Sequence, residues 1–326
     1  MRAAWYEAFG AAADVLSLGE MEVPEPAAGE VLVRVHASGI NPSDVKLRAG
    51  ARPGATMAYP RVVPHSDGAG VIEAVGSGVD AARVGQRVWI WNACWQRAHG
   101  TAADFVALPA EMAVPLPDTT SFVEGACLGI PAMTAWYALF GSGPIEGKRV
   151  LVTGGAGTVG RYACQMAKLG GARQVITTVS SPEKAAHSTC DAWVNYREAD
   201  VTGAVMDLTD GAGVDHIVDV DFGANQAANL ALITPGGEIA SYASAADMTP
   251  TLEFYGFMFK DITLRMLIVY QLNGAARRRG EAALTEWLEQ RALSHAVVDG
   301  GGLPDIARAH DMVAAGQKMG TVVIGL

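Results

Sequence analysis

Long apolar runs and clustered cysteines are both missing from this sequence. No stretch of the 326 residues reaches the roughly 20 apolar residues of a membrane-spanning helix, and the first residues lack the apolar core of a signal peptide. The four cysteines include no C-x-x-C pair and are too sparse for a disulfide framework. We therefore expect a cytoplasmic protein in which Cys94, Cys127, Cys164 and Cys190 are buried free thiols.

Positive charge is also scarce. The formal net charge is -10 at pH 7, and no run of basic residues is longer than three. Proteins that bind nucleic acids or membrane surfaces ordinarily carry a basic patch, so we expect neither partner. The composition is instead rich in apolar residues, at 50%, with 38 glycines, which permits a substantial core and two domains.

The pattern of apolar residues changes along the chain. Up to about residue 115, short strand-like runs such as 30–37, 70–76 and 86–91 are closely punctuated by proline and glycine, which predicts an antiparallel, barrel-like part. From about Phe122, short apolar strands alternate with helical stretches. That alternation is typical of a doubly wound parallel sheet.

The most informative motif lies at the start of this second part. The apolar run 150–152 leads into Gly155-Ala156-Gly157-Thr158-Val159-Gly160 and then into a helical stretch. In a G-x-G-x-x-G turn, Gly155 permits the tight turn, Gly157 lets the backbone approach phosphates, and Gly160 lets the helix pack against the strand. The motif predicts that a dinucleotide pyrophosphate binds at the helix N-terminus.

The end of the next strand indicates which dinucleotide is bound. NAD-preferring folds carry an Asp or Glu there, which binds the ribose hydroxyls. Here the strand 174–179 ends in Ser180, Ser181 and, after Pro182 and Glu183, Lys184. Hydroxyls and an ammonium suit a 2′-phosphate, so these residues favour NADP(H). Ser181 and Pro182 are also typical of the start of a helix. Capping of that helix and binding of a 2′-phosphate are compatible.

Several stretches, in order along nearly the whole chain, resemble one family. They are residues 39–44, 65–76, 84–88, 100–106, 129–135, the glycine turn, 180–184, 195–198 and 235–237. The family is the zinc-free quinone oxidoreductases of the medium-chain dehydrogenase/reductase superfamily, the ζ-crystallin-like group. The resemblance implies an α/β protein with a GroES-like β-rich catalytic domain, residues 1–121 and 271–326, and a Rossmann NADP(H)-binding domain, residues 122–270. It also implies a homodimer joined through the edge strand 262–269.

The resemblance further implies that no catalytic zinc is bound. Zinc-dependent relatives have ligands where this chain has Asn41, Ser66 and a residue near Pro131, and none of these three is a zinc ligand. His65 lies where the family mostly has glycine. We expect it to make hydrogen bonds or pack in the core and not to bind a metal.

The site residues are likewise implied by the resemblance. Asn41 and Asp44 match family residues near the nicotinamide and substrate. The sequence Asn-Pro-Ser-Asp also favours a turn, in which the same two residues would act only as caps. Arg52 stands where many relatives have tyrosine, and it either binds an oxyanion or lies in solvent.

Three further residues match the family's coenzyme contacts. Thr134 matches a threonine on the nicotinamide side, or else it bonds its own helix backbone. Lys184 and Tyr196 match residues that bind the 2′-phosphate, but the chain between Glu183 and Tyr196 is about one helical turn shorter than in most relatives, which predicts a displaced Tyr196.

The function that these residues favour is reduction of quinones or of α,β-unsaturated carbonyls by NADPH, because such acceptors need alignment and oxyanion stabilisation but no Lewis acid. Trp89, Trp91 and Trp95 either stack on the acceptor or belong to the core. Two alternatives stay open. One is an enoyl-CoA-type reductase, with Arg52, Arg61 and Arg97 as candidates for a basic entrance, and the other is an NADPH-binding protein with little turnover.

Overall fold

The computed structural model describes residues 1–51, 54–316 and 319–326. Within these, the chain divides into two compact units. The first unit comprises Met1–Pro131 and Glu281–Leu326, and the second comprises Ala132–Gly280. We keep the domain limits given above as a prediction.

The first unit is built mainly from strands. Its strands are β1 (Arg2–Trp5), β2 (Ser17–Glu20), β3 (Glu30–Ile40), β4 (Asp67–Val75), β5 (Arg87–Ile90), β6 (Phe105–Pro109), β7 (Ala113–Pro115), β14 (Val297–Gly302) and β15 (Thr321–Gly325). Its helices are α1 (Ala12–Val15), α2 (Pro42–Ala49), α3 (Phe122–Gly125) and α11 (Ile306–Ala314). Single turns of 3-10 helix occur at Ala81–Arg83, Ala110–Met112 and Leu303–Asp305.

One sheet organises this unit. In the described residues its strand order is β14-β15-β3-β4-β5-β7, and β6 pairs with the other part of β3. β3 pairs antiparallel with β4, β6 and β15, so the C-terminal segment completes a sheet begun by the N-terminal one. Along β3, alternate residues Val31, Val33 and Val35 are buried, and burying each such side chain stabilises the fold by about 1.5–3 kcal/mol.

The second unit alternates strands with helices. Its strands are β8 (Arg149–Thr153), β9 (Gln174–Val179), β10 (Ala192–Asn195), β11 (Val214–Asp219), β12 (Ile233–Ser241) and β13 (Thr263–Met266). Its helices are α5 (Thr158–Leu169), α6 (Pro182–Ala186), α7 (Val201–Leu208), α8 (Phe222–Leu232) and α9 (Phe254–Phe259), followed by a 3-10 turn at Val269–Gln271. Two helices contain the unit boundaries, α4 (Gly129–Phe140) and α10 (Gly274–Glu289).

The strands of the second unit form one parallel sheet. Its order in the described residues is β10-β9-β8-β11-β12-β13, and every pairing is parallel. This is the doubly wound Rossmann order, in which ligands bind beyond the carboxyl ends of the strands. The doubly wound sheet predicted from the sequence is thus confirmed.

The outer edge of this sheet is β13, which begins and ends inside the predicted strand 262–269. Several large apolar side chains lie exposed on β13 and on the segment before it: Leu252, Phe254, Tyr255, Met258, Phe259 and Met266. Among the helices formed by the described residues, none is both long and apolar enough to cross a membrane.

Candidate active site and coenzyme site

The glycine turn directly follows β8. Gly154 has φ of +74°, and the N–H of Gly155 donates to Thr177 Oγ1 on β9 at 2.9 Å. A Cβ at Gly155 would lie 2.1 Å from that same oxygen. The turn therefore fits against β9 only if residue 155 has no side chain.

The next two glycines have different surroundings. A Cβ at Gly160 would lie 2.3 Å from the carbonyl oxygen of Gly154, so this glycine allows α5 to pack against the turn. Gly157 is exposed and is the N-cap residue of α5, and its side-chain position would meet only the Gly154 carbonyl oxygen, at 3.3 Å. Open space at the N-terminus of a helix that lacks a side-chain cap fits a bound pyrophosphate.

Ala156, Thr158 and Val159 complete the turn. Ala156 packs with Val179 at the end of β9 and with Ala185 on α6. Thr158 and Val159 begin α5 and are partly exposed. This small cluster joins the glycine turn to the helix that follows β9.

The residues predicted to bind a 2′-phosphate lie together at this end of the sheet. Ser180 is buried directly after β9, and the Ser181 side chain caps α6 by accepting from the N–H of Lys184 at 3.3 Å. Lys184 is partly exposed. The N–H of Tyr196 donates to the Val179 carbonyl at 3.0 Å, so the shortened connection still returns Tyr196 beside the end of β9.

In the first unit, Asn41 and Asp44 open helix α2 and are buried. Asp44 Oδ2 accepts from the Asn41 backbone N–H at 2.8 Å, so this carboxyl group caps the helix. The Asn41 amide nitrogen donates to Asp67 Oδ2 at 2.7 Å. The capping role predicted for the pair therefore holds for Asp44. The Asn41 side-chain amide is instead held by Asp67, a residue that the sequence did not single out.

Asp67 also binds the start of α4. Both of its carboxyl oxygens lie 2.9 Å from the N–H of Ile130, where the helix dipole favours negative charge. A Cβ at Gly129 would lie 2.0 Å from Asp67 Oδ1, so glycine is required for this approach. Thr134, a buried residue, is the sixth residue of α4.

The two carboxyl groups are perturbed in the same direction. Burial raises the pKa of Asp44 to about 6, although hydrogen bonds from Asn41 and Ser66 oppose the shift. Burial also raises the pKa of Asp67, against the hydrogen bond from the Asn41 amide. Both groups therefore gain a proton more readily than a carboxyl group in water.

His65 lies within a buried chain of hydrogen bonds. Its backbone has φ of +78°, its Nδ1 is 2.8 Å from Ser38 Oγ, and its Nε2 is 2.9 Å from His310 Nε2 on α11. Ser38 Oγ is 2.7 Å from Thr101 Oγ1, which donates to the Asp67 carbonyl at 2.5 Å. Among the described residues, no group of three His, Cys, Asp or Glu side chains is placed to hold a metal ion.

The direction of these bonds assigns both ring tautomers. Because Thr101 gives its hydrogen to a carbonyl, it accepts from Ser38, and Ser38 in turn accepts from His65 Nδ1. A neutral His65 then has an unprotonated Nε2, which accepts from His310 Nε2. Burial lowers the pKa of both rings, that of His310 to about 4, so both are neutral at pH 7.

Arg52 lies outside the described residues. Trp89 and Trp91 are almost completely buried, so the core interpretation holds for these two, while Trp95 is partly exposed. The expectation of four free thiols is wrong for two of them. Cys164 on α5 and Cys190 before β10 form a disulfide with Cα atoms 5.5 Å apart, because α5 and the end of the α6–β10 connection are neighbours on the folded sheet.

Comparison with known proteins agrees with this geometry. Residues 27–118 match the alcohol dehydrogenase GroES-like domain family and residues 158–289 match the zinc-binding dehydrogenase family. A quinone oxidoreductase of Rattus norvegicus is 36% identical over 235 residues, which cover 69% of this chain and 68% of the relative. The chain belongs to the quinone oxidoreductase family of the medium-chain dehydrogenase/reductases.

Solved structures of this superfamily superpose along the whole chain. A mycobacterial protein in complex with NADPH has a TM-score of 0.86 at 30% identity and covers 100% of both chains. A 2-haloacrylate reductase has a TM-score of 0.86 at 27% identity and covers 100% of this chain and 99% of its own. The family and the fold class predicted from the sequence, a GroES-like domain with a Rossmann sheet, are both confirmed.

Proposed function

We propose that this protein is an NADPH-dependent reductase that transfers hydride to a quinone or to an α,β-unsaturated carbonyl compound. The observation that carries the proposal is the end of β9, where Ser180, Ser181 and Lys184 stand beside the glycine turn in place of a carboxylate. A carboxylate there would repel a 2′-phosphate, whereas hydroxyls and an ammonium bind it. The similar mycobacterial structure that contains NADPH supports the same coenzyme.

The coenzyme would be held by residues of the second unit. Its pyrophosphate would bind the N–H groups at the start of α5, and its 2′-phosphate would contact Ser181, Lys184 and Tyr196. Bound there, NADPH supplies the hydride, and the protein supplies position and a polar environment.

The acceptor would be oriented by Asn41. An amide nitrogen carries two hydrogens, and the bond to Asp67 uses one of them and fixes the amide plane. We propose that the second hydrogen is donated to the acceptor's carbonyl oxygen, where negative charge develops as hydride arrives. Asp67 acts here as a positioning residue for Asn41.

The two acceptor classes have different support. Family membership favours quinones, because the similar rat protein carries that name, while the 2-haloacrylate reductase favours activated alkenes. The enoyl-CoA alternative is weakened at two of its three arginines. Arg61 pairs with Glu7 at 2.7 Å and Arg97 pairs with Glu30 at 3.0 Å, so neither is a lone cation for a phosphate.

We also propose a homodimer joined at strand 262–269. The free edge of β13 and the exposed apolar side chains beside it support this arrangement, because such edges are normally covered.

Initial rates of NADPH oxidation by chelator-treated protein test the proposed reaction. We expect turnover with a simple benzoquinone or a 2-enal, and much slower rates with NADH. The ratio of the two acceptors assigns the substrate class. Tight NADPH binding without oxidation by either acceptor would contradict the reductase and favour the non-catalytic alternative.

The Asn41→Ala variant tests the role of the amide. We expect a lower kcat and an unchanged Kd for NADPH, since Asn41 belongs to the acceptor side of the proposal. The Asn229→Ala variant removes a different buried amide, on α8 and outside the proposed site, and is the control for general damage to activity.

A further inference from the structure

The Cys164–Cys190 disulfide links two parts of the coenzyme site. Cys164 lies on α5, the helix that begins at the glycine turn, and is fully buried. Cys190 is partly exposed and lies near the end of the connection between α6 and β10. Cys94 and Cys127 are buried thiols in the first unit, so the chain has one pair that thiol reagents can reach.

The buried sulfur contacts the glycine turn itself. A Cβ at Gly155 would come within 3.1 Å of Cys164 Sγ, so this sulfur packs against the turn proposed to bind the pyrophosphate.

The exposed end is joined to α5 by two other contacts. Arg161 donates to the carbonyl of His187, and Lys168 Nζ lies 2.7 Å from Asp191 Oδ1. Both Lys168 and Asp191 are exposed, and exposed ion pairs contribute little to stability. The disulfide is the one covalent attachment among these contacts.

Helix α6 depends on this attachment. It is only five residues long, and a helix of that length is not stable without tertiary contacts. Its N-terminus is capped by Ser181 and its middle packs through Ala185, but its C-terminus runs directly into the segment that Cys190 anchors. The disulfide thus fixes the helix that carries Lys184.

We propose that Cys164 and Cys190 form a thiol/disulfide switch that sets the affinity for the 2′-phosphate of NADPH, an inference that rests on the proposed coenzyme. In the oxidised form α6 is held at both ends and Lys184 is preorganised. In the reduced form the covalent anchor beyond the C-terminus of α6 is lost, which leaves the Arg161–His187 hydrogen bond and the exposed Lys168–Asp191 pair, and binding must order Lys184 at a greater entropic cost. The pyrophosphate turn stays in place because its hydrogen bonds to Thr177 and Thr178 do not involve sulfur.

The reaction partner is a low-molecular-weight thiol such as glutathione. Its thiolate attacks the accessible Cys190 sulfur, forming a mixed disulfide and releasing Cys164 as a thiolate, which takes up a proton. A second thiol then attacks the mixed disulfide. One protein disulfide and two thiols yield two cysteine thiols and one oxidised glutathione, and the reverse reaction closes the bond.

The test compares coenzyme binding by the two forms. The full chain is equilibrated with oxidised or reduced glutathione, freed of it without air, and titrated with NADPH and with NADH by fluorescence. We expect reduction to raise the Kd for NADPH about two- to tenfold, which corresponds to ordering one long side chain, and to leave the Kd for NADH nearly unchanged. Differential alkylation and mass spectrometry establish which cysteines are paired in each sample.

Two variants separate the switch from general damage. Cys190→Ala should show the weaker, reduced-type NADPH affinity in both buffers, because Cys190 is partly exposed and its loss removes only the cross-link. Cys127→Ala keeps the pair and should respond as the wild type does.

Each failure has a distinct meaning. Tight NADPH binding that ignores the redox state, or absence of the Cys164–Cys190 bond under oxidised glutathione, overturns the switch and leaves the proposed function standing. A parallel change in NADH affinity also overturns it, since the 2′-phosphate would not be involved. Absence of NADPH binding in both forms overturns the proposed function and the switch with it.

Discussion

The buried histidine pair makes the stability of this protein sensitive to acid. Burial, followed by the nearby Arg48 guanidinium, lowers the pKa of His310 from 6.5 to about 4. Between these values the unfolded chain binds a proton that the folded chain does not bind, so acid favours unfolding. The contribution of neutral His310 is complete above pH 6.5 and is lost as the pH falls toward 4.

The loss of stability can be calculated from the interval between the working pH and the pKa of the histidine in the unfolded chain. A pH of 5 lies about 1.5 units below the pKa of this histidine in the unfolded chain, and each unit is worth about 1.4 kcal/mol. Protonation of the unfolded state at this one residue therefore lowers the free energy of unfolding by about 2 kcal/mol. The first unit belongs to the size class of roughly 150–250 residues, for which a loss of about 2 kcal/mol lowers the melting temperature by about 4–8 °C.

The His310→Gln variant isolates this contribution. A glutamine amide still donates to His65 Nε2 but does not titrate, so at pH 7.5 we expect the variant to lose about 1 kcal/mol. Between pH 7.5 and pH 5 the difference in unfolding free energy between wild type and variant should shift by about 2 kcal/mol in favour of the variant. The opposing effects of Asp44 and Asp67 are common to both proteins and cancel in this difference.

Urea unfolding at a series of pH values measures the difference. His187→Gln, at an exposed position, is the matched control and should follow the wild type at every pH. A wild-type/His310→Gln difference that stays constant from pH 7.5 to pH 5 would refute the reasoning. Nitrogen NMR of the His310 ring provides a direct check, because the assigned tautomer places the hydrogen on Nε2 down to about pH 5.

Three further outcomes are expected. Lys184→Ala should raise the Kd for NADPH about ten- to hundredfold, through loss of a charge-assisted hydrogen bond, with little effect on NADH in the same fluorescence titration; an equal loss for both coenzymes would contradict the phosphate contact. Gly155→Ala should lower the melting temperature, because its Cβ would lie 2.1 Å from Thr177 Oγ1. Gly157→Ala should keep the melting temperature, because its Cβ would lie 3.3 Å from the nearest atom, but it should weaken NADPH binding. Met266→Arg should halve the mass measured by light scattering, since Met266 is exposed on the free edge of β13; a wild type that is already monomeric would rule out the dimer.

The parts that the sequence predicted are those encoded locally. The glycine turn, the strand before it and the helix after it are adjacent in the chain, so spacing alone located them. The hydroxyls and the ammonium after β9 were found in the same way, because the fold places the coenzyme's adenosine end at that strand. The doubly wound parallel sheet followed from the alternation of strands and helices.

The parts that were missed depend on distant pairing. His65 and His310 are 245 residues apart, and no periodicity connects them before the C-terminal segment returns to β3. Cys164 and Cys190 are 26 residues apart in the sequence and have no local motif, since their approach depends on how α5 packs beside the connection to β10. Asp67 lay within a recognised stretch, but its bonds to Asn41 and Ile130 appear only when β4, α2 and α4 are assembled.

The two cysteines enclose most of the residues proposed to select the coenzyme. The segment from Cys164 to Cys190 contains all of β9 and α6, and therefore Ser180, Ser181 and Lys184. The residues proposed to bind the 2′-phosphate, apart from Tyr196, thus lie in one uninterrupted segment whose two ends are joined by the disulfide. Such a segment could be exchanged between related enzymes as one piece if its partners on β8 and in the glycine turn are kept, because Thr177 and Thr178 accept hydrogen bonds from that turn.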